Sequence, residues 1–258
     1  MKNKFTNQDG LDLLAEIKNN TVDLILTDPP YVISRDSGMN TFFNAKDEFG
    51  NPITDKKWGN RYKIKTDYGD WDSKFTIETL IQFIEEYYRI LRAGGTCIIF
   101  FDLWKIESLK NILEKINFKK IRFIEWIKTN PVPINSKIAY LSNSREVALF
   151  CTKGAKNTFN SKYDNGIYNF PIYQGKRGID RIHPTQKSLL LFEELIKKHT
   201  NEGDLVVDTF GGSATTYIAS INQNRFCLSS EIDKNFYDKS IKRIKHHFED
   251  IYNSGSIG

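Results

Sequence analysis

Two short loops carry residues that suit chemistry. The first, Thr27-Asp28-Pro29-Pro30-Tyr31, ends the apolar run Val22-Asp23-Leu24-Ile25-Leu26 and offers an acceptor, two rigid residues and an aromatic ring. The second, Asp208-Thr209-Phe210-Gly211-Gly212, ends the run Leu205-Val206-Val207 in an acid and a glycine-bearing turn. If both runs are strands of one parallel sheet, the two loops arrive at the same edge. One loop then suits a planar substrate with an exocyclic amine, and the other a cofactor.

An aromatic amine such as adenine N6 is a poor nucleophile, because its lone pair is delocalised into the ring. Methylating it requires acceptors that hold the N–H groups while the nitrogen becomes more tetrahedral. Asp28 offers one acceptor and the Pro29 carbonyl another, and Tyr31 can stack on the base. Such a direct transfer between two ligands held in line needs no histidine or cysteine nucleophile. Other readings stand beside this one. An Asp-Pro-Pro turn capped by a packed tyrosine is a common structural device, and a lone glycine pair after a strand is a weak signal. Asp28 and Asp208 could instead hold a divalent metal, but neither loop brings an Asx or His cluster beside them. Glu231, roughly twenty residues beyond Asp208, suits a ribose diol, and the spacing alone would equally allow a nicotinamide cofactor.

The elements that must position these loops alternate along the chain. A short amphipathic helix from Asp9 places Leu11, Leu14 and Ile17 on one face before the strand from Val22 to Thr27. Thr76 to Leu91 follows a helical period, and Gly94-Gly95 is expected to stop that helix and turn into the apolar strand Thr96 to Phe101. A helix over Ile106 to Ile116 leads to a strand at Ile121 to Ile127, and Ser144 to Cys151 reads as a further strand with Glu146 as its odd polar member. The segment His183-Pro184-Thr185-Gln186-Lys187 precedes a helix to about Lys198. The strand Asp204 to Val207, a helix over Ser213 to Ser220, the strand Phe226 to Ser229 and a basic helix over Lys234 to His247 follow. This succession predicts a doubly wound α/β sheet in a single domain over 1–258. Ile251 to Gly258 reads as a frayed tail.

Two stretches break the pattern. Between Arg35 and Asp72 seven basic residues meet seven acidic ones, with Trp58, Tyr62, Tyr68 and Trp71 among them; this excursion, 35–71, packs back or contacts bases. Between Lys153 and Arg181 six basic residues, Lys153, Lys156, Lys162, Lys176, Arg177 and Arg181, face only Asp164 and Asp180, with aromatics interleaved. That excursion, 153–181, reads as a nucleic-acid surface or, more plainly, as a solvated segment with local packing.

Composition bounds the rest. The chain has 258 residues, 40% hydrophobic, with 37 Lys plus Arg against 32 Asp plus Glu and a formal charge of +5, a surplus that permits nucleic-acid binding without demanding it. Cys97, Cys151 and Cys227 lie in or beside apolar runs without metal-ligand spacing and are expected to be buried small residues. No stretch reaches membrane-spanning length and the start turns polar at once, so no membrane association and a cytoplasmic location are expected.

Together these motifs resemble the amino-methylating DNA methyltransferases of bacterial restriction-modification systems, adenine N6 branch, in the beta order, where the catalytic loop comes early and the cofactor loop late. The resemblance rests on Asp28-Pro29-Pro30-Tyr31, on Asp208 through Thr216, on His183 to Lys187, on Arg92-Ala93-Gly94-Gly95, on Trp126 with Lys128, and on Glu146 to Phe150. It implies a Rossmann-like class I fold with a mostly parallel seven-stranded sheet in circularly permuted motif order. It implies S-adenosylmethionine as methyl donor, S-adenosylhomocysteine as product and no metal. Asp28, Pro29, Pro30 and Tyr31 would be catalytic. Asp9 would meet the cofactor's adenine and Glu231 its ribose; His183, Thr185 and Lys187 would hold its methionine end, with Asp208, Phe210, Gly211, Gly212 and Ser213 forming the loop around it.

The resemblance also places target recognition on 153–181, giving DNA contacts to Lys153, Lys156, Lys162, Lys176, Arg177 and Arg181. A homodimer, a partner endonuclease and turnover of single-stranded DNA, which pays less to present its base, are further implications. Three departures stand out. Ala214 takes the place of a common glycine, which is expected to be tolerated if that residue has ordinary helical dihedrals. Ser188 replaces a frequent proline, and aspartate at 28 favours adenine where the cytosine N4 branch usually has serine. Methylation of RNA or protein on the same sheet, cytosine N4 methylation and a non-catalytic DNA-binding partner remain as alternatives.

Overall fold

The structure, a computed structural model, describes residues 2–30, 75–131, 143–154, 156–172, 182, 183 and 185–254. Tyr31, the excursion 35–71, and Lys176, Arg177 and Arg181 therefore lie outside the described residues. The chain divides into two compact units, Met1–Pro29 with Ile81–Gly258, and Pro30–Leu80. In the second unit the described part is Pro30 and a helix start, where the Thr76 side chain accepts from Thr79 N at 3.2 Å.

The first unit is built on a mixed sheet. Its strands are β1 (Lys4–Thr6), β2 (Val22–Thr27), β3 (Leu91–Phe101), β4 (Lys119–Lys128), β5 (Arg145–Thr152), β6 (Ile167–Phe170), β7 (Leu205–Asp208) and β8 (Phe226–Ser230). The helices are α1 (Gly10–Ala15), α2 (Ile77–Ile90), α3 (Ile106–Lys115), α4 (Leu189–His199), α5 (Thr215–Asn222) and α6 (Lys234–Ser254). The spatial order is β1-β8-β7-β2-β3-β5-β4-β6. All neighbouring pairs are parallel except those of β5, which runs antiparallel to both β3 and β4.

This sheet has eight described strands where seven, mostly parallel, were expected. The unexpected strands are short. β1 has only three residues, and β6, inside the excursion 153–181, buries a single side chain, Tyr168, so neither leaves a periodic trace. Strand direction was not readable either, because the apolar run of β5 signals burial on both faces and says nothing of orientation. Its reversal matters: Glu146, near the start of β5, lies at the sheet edge where the parallel strands β2, β3, β4 and β7 end.

Burial on both faces explains the apolar runs. Leu24, Leu26, Ile98, Phe100, Trp126 and Val206 join Leu191, Phe192 and Leu195 of α4 and Ala219 of α5 in one core. The alternate residues Ile25, Cys97 and Ile99 are fully buried as well. Trp126 satisfies its indole N–H on Phe170 O at 2.8 Å, so the large ring costs no unpaired donor. The three cysteines are buried and free, as expected. No helix among the described residues is long and apolar enough to cross a membrane.

Gly94-Gly95 does not stop the helix. α2 ends at Ile90 and β3 begins at Leu91; the glycines sit in an irregularity of β3, where its pairing jumps from Val22↔Leu91 to Leu24↔Thr96. Gly94 has φ +80°, donates to Lys153 O at 2.7 Å, and a Cβ there would stand 2.0 Å from Lys156 O. Gly203 has a similar φ of +82° but no described residue within 4 Å of a Cβ. Gly203→Ala should therefore cost about 1 kcal/mol, the backbone strain alone, and Gly94→Ala at least about 2 kcal/mol more, because a backbone carbonyl must move. Urea unfolding of the two variants measures the difference; equal losses would contradict the close approach at Gly94.

Candidate active site

The ends of β2 and β7 lie side by side and are joined by side chains. Thr27 Oγ1 donates to Asp208 Oδ1 at 2.7 Å, Thr216 Oγ1 to Asp208 Oδ2 at 2.6 Å, and Phe210 N to Asp208 Oδ1 at 3.1 Å. Asp208 is 4% exposed, and burial pushes its carboxyl up to about 6 against the lowering effect of those three hydrogen bonds. Its oxygens are spent on the chain itself, so the carboxylate fixes the loop's shape. Tyr87 of α2 and Thr209 add a buried hydroxyl pair beside it.

The glycine loop turns tightly after Asp208. Gly211 donates to Ser230 O at 2.8 Å, and a Cβ at Gly211 would stand 2.7 Å from both Phe5 Cε2 and Ser229 Oγ. Only glycine fits there. Gly212 has φ +48°, and among the described residues a Cβ on it would meet nothing closer than Phe210 O at 3.8 Å. Ala214 does not have helical dihedrals. It stands at φ 63°, ψ 27°, in the left-handed region, because its N–H closes a turn onto Gly211 O at 2.7 Å before α5 begins. A methyl group there costs about 1 kcal/mol that glycine would not. Arg243 of α6 ties the turn down by donating to Ser213 O and to Thr215 Oγ1.

Glu231 follows β8 and closes the loop from the other side. Its Oε2 accepts from Gly212 N and its Oε1 from Asp233 N, each at 2.8 Å. Burial pushes its carboxyl up to about 7, with the two backbone N–H groups opposing the rise. Asp9 caps α1 by accepting from Leu11 N at 2.8 Å; its neighbour Gly10 packs so tightly on Thr209 that a Cβ would meet Thr209 Cβ at 2.8 Å. His183 shares a hydrogen bond between Nδ1 and the Thr185 hydroxyl at 2.9 Å, meets the Phe236 ring of α6 at a tilt of 53° with centroids 4.5 Å apart, and is pushed down to about 4 by burial and then by Lys187 and Lys239. Asp9, Asp208, Phe210, Gly211, Gly212, Ser213 and Glu231 are thus gathered around one loop, whereas His183, bonded to Thr185, meets α6 at Phe236.

Asp28 stands one residue past β2. Its Oδ2 pairs with Lys187 Nζ at 2.7 Å, and the same ammonium pairs with Glu146 Oε2 at 2.6 Å. Glu146 Oε1 pairs in turn with Lys128 Nζ at 2.7 Å. The Lys187 side chain is 6% exposed, whereas those of Asp28 and Glu146 keep about a fifth of their surface. Burial pushes Glu146 up, but Lys187 and Lys128 together outweigh it and hold the carboxyl below its ordinary range. Sequence reasoning gave Lys187 to the cofactor alone and left Glu146 and Lys128 out of the site. The available signal was a charged residue, Glu146, inside an apolar strand.

The basic residues split. The pairing Thr96↔Thr152, with Lys153 N bonded to Gly95 O, puts Lys153 at the edge where β2 begins, on the order of 15 Å along the sheet from Asp28. Lys153 Nζ is tied to Asn20 Oδ1 at 2.7 Å and Tyr88 O at 2.6 Å. Lys156 and Lys162 are exposed and, like Lys153, precede β6, whose parallel pairing with β4 carries the chain from that far edge up to Phe170 beside Lys128. The structure does not bring these three lysines to the loops. No group of three or more His, Cys, Asp or Glu residues suited to a metal ion occurs among the described residues.

Comparison with known proteins agrees with this geometry. A protein family described as DNA methylase, of N6 and N4 type, matches residues 22–242. The Type II methyltransferase M2.DpnII of Streptococcus pneumoniae is 28% identical over 268 residues, covering 95% of this chain and 91% of that protein. A crystal structure of M1.HpyAVI in complex with SAM superposes with a TM-score of 0.65 at 26% identity, over 95% of this chain and 99% of the other. The cytosine-N4-specific PvuII DNA methyltransferase shares the fold, with a TM-score of 0.67 at 18% identity over 98% and 92% of the two chains.

The elevated Glu231 sets a pH signature. Its folded value of about 7 exceeds the ordinary 4.5, so the stability it contributes is full below pH 4.5 and is lost as pH rises through 7. His183, held at about 4 against 6.5, works the opposite way, losing stability as pH falls through that window. Glu231→Gln removes only the first contribution. Relative to the parent, its stability should be roughly 3 kcal/mol more favourable at pH 8 than at pH 4.5, measured by urea unfolding; a pH-independent difference would contradict the buried, ionisable Glu231.

Proposed function

The chain belongs to the DNA methylase family of N6 and N4 type, and from that premise we propose that it methylates the N6 amine of adenine in DNA. It is an S-adenosylmethionine-dependent DNA methyltransferase of the amino-methylating kind. The observation that carries the site reading is the Thr27 to Asp208 hydrogen bond, which fixes the acceptor loop and the glycine loop at adjoining strand ends. Similarity to Type II methyltransferases supports a place in a restriction-modification system, with DNA as the partner.

The residues present suit the cofactor. Among the described residues the loop is open at Gly212, and Glu231 offers a buried carboxylate whose oxygens each accept one backbone N–H and retain lone pairs for a diol. When bound, the cofactor would supply an electrophilic methyl group on a sulfonium, with the neutral thioether as leaving group. Asp28 and the Pro29 carbonyl accept the two N6–H bonds and so steer the lone pair toward that methyl. The proton that N6 must lose passes to Asp28 and on to solvent. Tyr31 stacks on the base in this reading. Target DNA contact rests with Lys176, Arg177 and Arg181, while Lys153 has the structural role its bonds describe. Adenine is favoured over cytosine because residue 28 is an aspartate.

Asp28→Ala should lower methyl transfer to DNA by at least about 100-fold, the usual loss of one aimed hydrogen-bond partner, while S-adenosylmethionine affinity by calorimetry changes little. Retained turnover would remove the assignment. Glu231→Ala should weaken cofactor binding by about tenfold, and the parent's cofactor affinity should fall as pH drops below about 7, where Glu231 takes up its proton. A flat affinity between pH 8 and 5.5 would count against the ribose role.

A further inference from the structure

We propose that Glu146 and Lys128, neither of which touches the base, are positioning residues that balance the charge on Asp28 through Lys187. This rests on the reading of Asp28 as the acceptor for the amine. Four groups from four segments form one chain of alternating sign. Lys128 ends β4, Glu146 is the second residue of the antiparallel β5, Lys187 precedes α4, and Asp28 follows β2. The links are 2.7, 2.6 and 2.7 Å, and Glu146 spends one oxygen on each lysine. Two anions and two cations leave the chain neutral.

Neutrality has a chemical use. A carboxylate that accepts from a weakly acidic amine must stay ionised, and must also remain a strong enough acceptor to take the proton as the C–N bond forms. Lys187 with Asp28 alone would supply the ionisation. Adding Glu146 returns part of the negative charge, and adding Lys128 offsets Glu146, so the outer pair adjusts acceptor strength without contacting substrate. Other groups face this chain of charges. Asp208 acts on Asp28 across the strand ends, His183 lies near Lys187, and Phe100 and Trp126 present ring faces to Lys187 and Lys128 at 5.5 and 5.3 Å. Removing Glu146 or Lys128 therefore changes the net charge around Asp28 in opposite directions.

The test is the acid limb of kcat for methyl transfer in the parent, Glu146→Gln, Lys128→Gln and the double variant. Glu146→Gln leaves the chain one unit positive, so its limb should move to lower pH by about one unit. Lys128→Gln leaves it one unit negative and should move the limb up by a similar amount. The double variant is neutral again, and its limb should return close to that of the parent although both side chains differ. A purely structural role would lower the unfolding midpoint and leave the limbs together. Shifts of the same sign, no shifts, or a double variant that adds the two defects would overturn the proposal. If Glu146→Gln does not fold, carbon NMR titration of the Asp28 carboxyl in the parent and in Lys128→Gln decides it: a rise in the variant is expected, and no rise overturns it. A parent that transfers no methyl group would instead overturn the reading of Asp28, which keeps the two failures distinct.

Discussion

A carboxylate shielded from water holds the two functional loops together. Asp208 accepts from Thr27 on one strand, from Thr216 on the following helix and from Phe210 N in its own turn. Burying that charge without partners would cost several kcal/mol, and three donors offset it only in one arrangement of β2, β7 and α5. The loop that presents Asp28 and the loop that turns at Gly211 therefore cannot shift independently. Their registry is set by this bond, and the sheet, with Leu24↔Val206 and Ile25↔Val207 in parallel register, supplies the rigid frame beneath it.

Around that anchor the site divides its charges by depth. Asp208 and Glu231 are raised by burial and meet mainly backbone and hydroxyl donors, whereas Glu146 is lowered because two ammonium groups face it. The antiparallel strand β5 makes the second arrangement possible, since only a strand running against its neighbours starts at the edge where they end. The cost of such ion pairing is desolvation, which the partial exposure of Asp28 and Glu146 moderates. Ala214 shows a different expense, a left-handed residue accepted to close the glycine turn.

Much of this was legible in the sequence where the signal is local. The apolar runs before Asp28 and Asp208, the acid at 231 and the helix periods all describe neighbours along the chain, and each falls in the element expected. What was hidden depends on distance. The antiparallel sense of β5, the pairing of Lys187 with Asp28 and the opposite-edge position of Lys153 follow from strand direction, which hydrophobicity does not encode. Short edge strands such as Lys4–Thr6 and Ile167–Phe170 are too brief for a period to register. The φ of Ala214 is set by a hydrogen bond across a turn, and residue type alone suggested the commoner conformation.

Presentation of an adenine amine by the Asp28 loop to a cofactor held by the glycine loop is a proposal that label transfer tests. The most direct measurement is incubation with methyl-labelled S-adenosylmethionine and mixed duplex and denatured DNA, followed by digestion to nucleosides and separation. Label in N6-methyladenine is the expected result. Label in N4-methylcytosine would contradict the base assignment while leaving the loops' chemistry in place, and label absent from DNA despite measurable cofactor binding would contradict methyl transfer to DNA altogether.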